Sequence, residues 1–360
     1  MLFAAPLPLP SAGPEECQPA DFAGVSLFRQ VLYDALVTAA VRNAEGGPSA
    51  LDTHARGRPR LLRRRLKAGA QIGAGLLLFG IVSLAVSRDW RHVHATLSRI
   101  AAWELVVSGL LVLAGLGASV LVWRRSLQEL GSTVRVTEAS KIYLVGQLGK
   151  YLPGSVWAFL AQMELARKAA VPRTRSFAAS IVAVCINLVT GLAIGTLVIP
   201  SVAHGEVWRY LAIAALFVVL IAGLSPPVLT WLVDMAMHVV RRPKLERPVS
   251  WKGMLAGSGW SLVSWFGYGF SLWILVVGAG APEGKSLPLC FAGIALAMTA
   301  GFIVVVAPSG IGVREAVLVA ALAPVLTTSA ALAVVLVLRL LFTLGDLVAA
   351  AAVTPIRIGR

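Results

Sequence analysis

The sequence predicts an all-α fold: a polytopic transmembrane helical bundle of about seven or eight spans, with one or two re-entrant segments broken by glycine and proline. Of its 360 residues, 58% are hydrophobic and only 14% are charged, whereas soluble domains are about 25% charged. Many apolar residues fall in runs of about 20, the length of helix that crosses a bilayer. Helices are expected in these runs because a chain in lipid must satisfy its own backbone hydrogen bonds.

The chain divides into an N-terminal extension, residues 1–60, and a transmembrane domain, residues 61–360. The extension is rich in Pro, Gly and small residues, a composition typical of disordered or weakly helical segments. It lacks the basic start of a cleavable signal peptide. Residues 22–44 have helix-like apolar spacing, so they are either an amphipathic surface helix or a non-native extension.

The spans follow in order along the domain. They are predicted near residues 68–87, 102–123, 177–199, 211–233, 253–277, 286–307 and 329–353. Two further apolar segments, 139–165 and 308–325, are interrupted by Gly and Pro.

The distribution of Lys and Arg predicts the orientation through the positive-inside rule. Seven basic residues between 56 and 67 make the N-terminus cytoplasmic, and the plasma (inner) membrane is the expected location. Both flanks of 139–165 are basic, which favours a re-entrant hairpin. Arg357 and Arg360 favour a cytoplasmic C-terminus, which requires 308–325 to cross and gives eight crossings. A separate hairpin at 308–325 would place the C-terminus outside.

The first broken segment contains GQLGKYLPGSVW. Its Pro and Gly predict a break in the helix at 151–155. Irregular backbone at membrane depth is tolerated where it is buried in protein or lines a watery cavity, and a half-helix N-terminus beside an ammonium group suits an anion. A proline kink with interfacial Lys and Tyr is the alternative. The candidate lipid- or substrate-binding residues here are Gln147, Lys150, Tyr151, Pro153 and Gly154.

The second broken segment contains APSGIGVREA. Paired Gly/Pro-interrupted segments, one in each half of a chain, form midplane substrate sites in transporters with internal repeats. An Arg–Glu pair at the membrane surface is the alternative, since burying such charges is costly. The candidates are Pro308, Gly310, Gly312, Arg314 and Glu315.

The last span carries Arg339 and Asp346, seven positions apart and so on one helical face. A charge at the bilayer centre costs about 2.5–3.5 kcal/mol on insertion scales, so Arg339 needs a partner inside the bundle. Glu315 and Asp346 are the candidate partners. Both Arg339 and Asp346 are candidate substrate-binding residues, and a purely structural ion pair is the alternative.

The net charge of +15 does not indicate nucleic-acid binding, because the charge lies between apolar runs, where it attracts anionic lipid headgroups. The three cysteines give no disulfide or metal-binding spacing. The sequence has no phosphate-binding loop and no nucleophile elbow. We therefore expect no enzymatic activity, no cofactor and no metal.

The two motifs, followed by an Arg-bearing last span, resemble the lysylphosphatidylglycerol synthase transmembrane-domain family, also called flippase-like. The resemblance covers about residues 68–355 and implies a polytopic bundle that moves a modified lipid between leaflets. The soluble domain that charges phosphatidylglycerol with lysine is not among these residues, so synthase activity is not implied.

The leading hypothesis is a transporter or flippase for an anionic phospholipid or lipid-linked substrate. The resemblance also implies an alternative, a non-transporting accessory or scaffold subunit of an envelope glycosyltransferase or lipid-modifying system, with a membrane-bound glycosyltransferase as partner. A third hypothesis, an enzyme acting on a lipid-linked substrate, would use Glu164 or Glu315 as base.

Overall fold

The computed structural model describes residues 90–151, 156–202, 215–218, 220, 222–223, 225–239, 250–303 and 312–358. Every regular element within these ranges is helical, which confirms the predicted all-α class. The helices are α1 (Trp90–Leu97), α2 (Ala102–Glu129), α3 (Val136–Gln147), a 3-10 turn (Leu148–Tyr151), α4 (Trp157–Lys168), α5 (Arg173–Val202), α6 (Pro226–Val239), α7 (Trp251–Gly278), α8 (Glu283–Ile303), α9 (Val313–Leu322) and α10 (Thr328–Val353).

Five of these helices, α2, α5, α7, α8 and α10, are long and apolar enough to cross a membrane. They coincide with five of the predicted spans. The predicted span 68–87 and the extension 1–60 lie outside the described residues, and 211–233 is described only in part. The total of seven or eight spans therefore stays a prediction.

Helices α2 and α7 form an extensive antiparallel interface built from small residues. The Ser108 and Ser271 hydroxyls lie 2.7 Å apart, and the Ser119 and Ser264 hydroxyls lie 2.8 Å apart. Small residues let helix backbones approach closely, and hydroxyl pairs add hydrogen bonds that do not depend on a hydrophobic driving force. Helices α3, α5, α8 and α10 pack against this pair.

One end of the bundle, which we call the basic end, is identified by contacts between loops. Glu129 at the end of α2 accepts the Ser250 backbone N–H at the start of α7. Arg175 of α5 reaches the loop after α2. Lys141 of α3 donates to the carbonyls of Thr354 and Ile356 after α10, at 2.5 Å each. The C-terminal end of the chain therefore lies with the basic loops, as the charge distribution predicts.

The predicted re-entrant segment 139–165 is a helical hairpin, which we call the first hairpin (α3, the 3-10 turn and α4). A Cβ added at Gly149 would lie 2.6 Å from the Ala158 backbone nitrogen, and one at Gly146 would lie 3.2 Å from that of Gln162. These contacts place the two arms side by side and antiparallel. Each arm has 12 residues, about 18 Å of helix, which is too short to cross a core of about 30 Å.

Helices α8 and α9 form the second hairpin. Gly301 contacts Arg314 and Gly293 contacts Ala321, so α9 runs back along α8. With 10 residues, α9 is about 15 Å long and does not cross a bilayer by itself. Whether 308–325 as a whole crosses the membrane stays a prediction, because residues 304–311 lie outside the described part of the chain. Because α9 still reverses the chain direction, α10 runs parallel to α2 and ends at the basic end.

The two hairpins enter the bundle from opposite ends. The base of the first hairpin lies at the basic end, where Lys141 meets the C-terminal residues. The second hairpin starts at Glu283, whose carbonyl accepts a hydrogen bond from Trp273 near the far end of α7. The 3-10 turn of the first hairpin and the start of α9 in the second, which we call the tips of the two hairpins, both contact α10. Both hairpins therefore contribute residues to a site beside α10.

Candidate functional site

A cleft lies where the two hairpin tips meet α10, with about 500 Å³ of empty space, its open mouth included. Charged and polar groups on one side face an apolar wall on the other. The polar lining residues are Lys150, Tyr151, Arg314, Glu315, Arg339, Thr343 and Asp346. The apolar lining residues are Ile294, Ala297, Met298, Leu318, Val335, Leu338 and Phe342. Six of the twelve predicted site residues therefore converge here, from segments almost 200 positions apart.

Asp346 holds the tip of the first hairpin. Its side chain is 1% exposed, and its Oδ2 accepts both the Lys150 ammonium and the Tyr151 hydroxyl, each at 2.6 Å. A buried carboxylate needs such partners, because an unpaired charge in a medium of low dielectric constant is costly. The Lys150 ammonium also lies 5.4 Å from the centre of the Tyr151 ring. This cluster ties the end of the 3-10 turn to α10.

Glu315 holds the tip of the second hairpin in a similar way. Its Oε1 accepts Arg339 Nη1 of α10 at 2.6 Å, and its Oε2 accepts the Gly312 backbone N–H at 2.6 Å. The second bond closes the first turn of α9, the role of an acidic residue at the third helical position. Gly312 has φ of 87°, a left-handed conformation that favours glycine. Of the two partners predicted for Arg339, Glu315 is therefore the observed one.

Arg314 is the cation that remains. The cleft holds three cationic side chains and two carboxylates, and the two ion pairs use Lys150 and Arg339. Among the described residues Arg314 forms no ion pair, although its charge is repelled by that of Arg339 and attracted by those of Glu315 and Asp346. Within the part of the chain that the structure describes, its buried Nε and the buried Oδ1 of Asp346 have no hydrogen-bond partner. The site thus carries one uncompensated positive charge beside an apolar wall.

The other predicted site residues are not part of this lining. Gln147 is the last residue of α3 and does not line the cleft. Gly312 lies beside the cleft and acts through its backbone. Pro153, Gly154, Pro308 and Gly310 lie outside the described residues.

Sequence reasoning missed Gly301 and the apolar wall. A Cβ at Gly301 of α8 would overlap the stem of Arg314, so a glycine in an apolar helix here permits a close approach. Thr343, one turn from Arg339, donates to the Arg339 carbonyl at 3.0 Å and faces the cleft. A polar residue between Arg339 and Asp346 on the same helix was the signal available for Thr343. No sequence signal apart from its residue type marked Gly301 as part of the site.

The arrangement suits an amphiphilic ligand. A guanidinium offers paired donors to a phosphate or carboxylate, and the apolar wall can take the first methylenes of an acyl chain. Within the described residues there is no group of three or more His, Cys, Asp or Glu side chains that could hold a metal.

Comparison with known families agrees with the two motifs. Residues 71–350 match the family model described as the lysylphosphatidylglycerol synthase TM region. A comparison with curated proteins finds no match. The family match covers both hairpins, α10 up to Ala350 and the whole cleft. The chain is therefore a multi-pass membrane protein that belongs to the lysylphosphatidylglycerol synthase transmembrane-region family.

Proposed function

We propose that this protein moves an anionic phospholipid or lipid-linked substrate between the leaflets of the membrane, and that the cleft binds its headgroup. The observation that carries the proposal is the Arg314 guanidinium, which faces the cleft without a counter-ion among the described residues. A ligand that brings one negative charge would compensate it. We propose no catalysed reaction at this site.

The two hairpins support transport rather than static binding. Broken helices that meet near mid-depth from opposite ends are the construction by which transporters expose one site to either side in turn. Each tip is bound to α10 by a separate ion pair. The two α10 residues in these pairs, Arg339 and Asp346, lie two helical turns apart, or about 10 Å along the helix axis. One tip can therefore be released while the other stays bound.

The basic end supports a cytoplasmic orientation for that side of the bundle. Its exposed cations include Arg125, Arg135, Lys168 and Lys252, and such residues concentrate in cytoplasmic loops. On this orientation the first hairpin enters from the cytoplasm and the second from outside. A plasma-membrane location with a cytoplasmic N-terminus remains our prediction.

Arg314→Ala is the cleanest test, because Arg314 forms no ion pair with any other described element. Lys150→Ala removes a cation too, but it also leaves the buried Asp346 without its counter-ion, so loss of function would have two explanations. The control is Arg125→Ala, which removes an exposed arginine at the basic end. The measurement is leaflet exchange of a fluorescent phosphatidylglycerol in vesicles containing the purified full-length chain.

We expect wild-type protein and Arg125→Ala to exchange the labelled lipid and Arg314→Ala to lose most exchange. Equal exchange by Arg314→Ala and the control would remove the cleft from the mechanism. A folded wild-type protein that exchanges no lipid would overturn the proposal and turn attention to the accessory-subunit hypothesis. For that hypothesis, a stably co-purifying glycosyltransferase is the expected result.

A further inference from the structure

We propose that Gly301 is a positioning residue for anion binding: its missing side chain leaves the slot on α8 that aims Arg314 into the cleft. The inference rests on the proposed function, since it assumes that the cleft binds an anionic headgroup. Gly301 does not line the cleft. It would act only through Arg314.

The contact runs along most of the arginine stem. A Cβ on Gly301 would lie 2.5 Å from Arg314 Cγ and 2.9 Å from Cδ, and closer still to Nε. Carbon atoms in contact are about 3.5–4.0 Å apart, so no side chain fits between them. The overlap begins at Cγ, near the base of the side chain. A methyl group at position 301 would therefore force the whole arginine into another rotamer.

Because the Arg314 stem is buried against α8, only the end of its guanidinium group can reach a ligand. Arg314 Nε has no hydrogen-bond partner among the described residues, so no hydrogen bond from Nε fixes the position of the side chain. Close packing fixes the stem, and the Nη atoms are the donors left for a ligand. Restricting a flexible side chain in advance lowers the entropy lost on binding.

The effect of a side chain at position 301 can be distinguished from a general change in the spacing between α8 and α9. Gly293 also lies on α8 facing α9, where an added Cβ would lie 3.0 Å from the Ala321 Cβ and nowhere near Arg314. Gly293→Ala therefore perturbs the same pair of helices without touching the arginine. It is the matched control for Gly301→Ala.

The test is a double-mutant cycle on ligand binding. The full-length chain in detergent is titrated with dihexanoyl phosphatidylglycerol, and Kd is measured for wild type, Gly301→Ala, Arg314→Ala, the double variant and Gly293→Ala. We expect Gly301→Ala and Arg314→Ala each to raise Kd about tenfold, the loss of one charge-assisted hydrogen bond. In the Arg314→Ala background, Gly301→Ala should add nothing, and Gly293→Ala should leave Kd near the wild-type value.

The inference is overturned if Gly301→Ala raises Kd equally with and without Arg314, or if Gly293→Ala raises it as much. If Gly301→Ala lowers Tm, removing the arginine in the double variant should restore Tm, because the overlapping atoms are gone; a failure to restore it counts against the contact. Wild type that binds the lipid but exchanges none would overturn the proposed transport, while the binding cycle still decides the role of Gly301. Wild type that does not bind the lipid would overturn both.

Discussion

The two hairpins enter the same bundle from opposite ends but use the charges at their tips differently. In the first hairpin the cation at the tip is neutralised within the protein, because Lys150 forms an ion pair with Asp346. Tyr151 donates to the same oxygen of Asp346. In the second hairpin only the carboxylate is used, because Glu315 binds Arg339 and the Gly312 backbone. Arg314, beside it, remains without a counter-ion among the described residues.

The hairpins also differ in what their glycines contact. Gly149 in the first hairpin meets backbone atoms of Ala158, so it brings two chain segments together. Gly301 in the second meets the side chain of Arg314. Under our proposal both hairpins are anchored to α10, and the second in addition offers a cation to the ligand.

The largest expected effect is on the anchor of the first hairpin. Asp346→Ala leaves the Lys150 ammonium and the Tyr151 hydroxyl without their acceptor. Removing one partner of a buried ion pair typically costs about 3–5 kcal/mol, so we expect a large fall in the Tm of the detergent-purified protein or a loss of folded protein.

The control replaces both partners with apolar residues. The double variant Lys150→Met/Asp346→Leu should recover much of the lost stability, since apolar replacement of a whole buried pair is often neutral. If the double variant is as unstable as Asp346→Ala, the ion pair is not the reason for the loss.

A smaller loss is expected at the tip of the second hairpin. Glu315→Gln removes the charge that pairs with Arg339 but keeps an oxygen for the Gly312 N–H. We expect a cost of about 2 kcal/mol, less than for Asp346→Ala, because Arg339 is 26% exposed and lines the open cleft. Denaturant unfolding of both variants under the same conditions measures the difference. A larger loss for Glu315→Gln would reverse the ranking of the two tips.

The glycine contrast predicts an effect of about 1–3 kcal/mol for Gly149→Ala, the usual range for overpacking. The Ala158 backbone nitrogen, 2.6 Å from the new Cβ, cannot rotate away, so the arms of the first hairpin must separate. Gly117→Ala is the control, because an added Cβ there meets nothing within 4 Å. Its Tm should stay level or rise. If Gly149→Ala is as well tolerated as Gly117→Ala, the arms are less closely packed than the structure indicates.

The smallest effect is expected at the base of the first hairpin, where Glu164 of α4 accepts hydrogen bonds from Arg167 and Arg173. Burial alone would raise the pKa of Glu164, but these two arginines hold it below its usual value. The folded chain therefore binds this proton less readily than the unfolded chain does. The resulting stability is present at neutral pH and is lost as the pH falls through the lowered pKa.

Glu164→Gln should accordingly lower stability by about 1 kcal/mol or less at pH 7. The gap in Tm between wild type and the variant should shrink as the pH is lowered below 4. A gap that is constant with pH would mean that the ion cluster does not provide the stability. The comparison also tests whether the tip or the base of the first hairpin carries its main polar anchor.

Several features were predictable because they depend on short stretches of sequence. The break predicted at 151–155 follows from Pro and Gly, and the described elements on either side end at Tyr151 and begin at Trp157. The need of Arg339 for a partner follows from the cost of a charge in an apolar span. Glu315 was one of two acidic candidates for that partner, and it is the observed one. The pairing of Lys150 with Asp346 was not predicted, because it joins residues 196 positions apart on helices whose relative rotation the sequence does not specify.

The length of the elements was less predictable. The segment 308–325 is apolar enough for a crossing, but the helix that forms has only 10 residues. Apolar composition favours burial, and a short helix can bury its surface against α8 and α10 as well as in lipid. Composition alone therefore could not distinguish a full crossing from a half-helix that folds back.

Composition, charge and local backbone chemistry were enough to predict a membrane bundle, its basic end and its two broken segments. The packing of the helices was needed to show that both broken segments reach one helix, that Asp346 and Glu315 each have partners, and that Arg314 lies beside Gly301 with no ion pair among the described residues. Those facts depend on distances between residues far apart in the chain, where packing of whole helices chooses the partner of each charge.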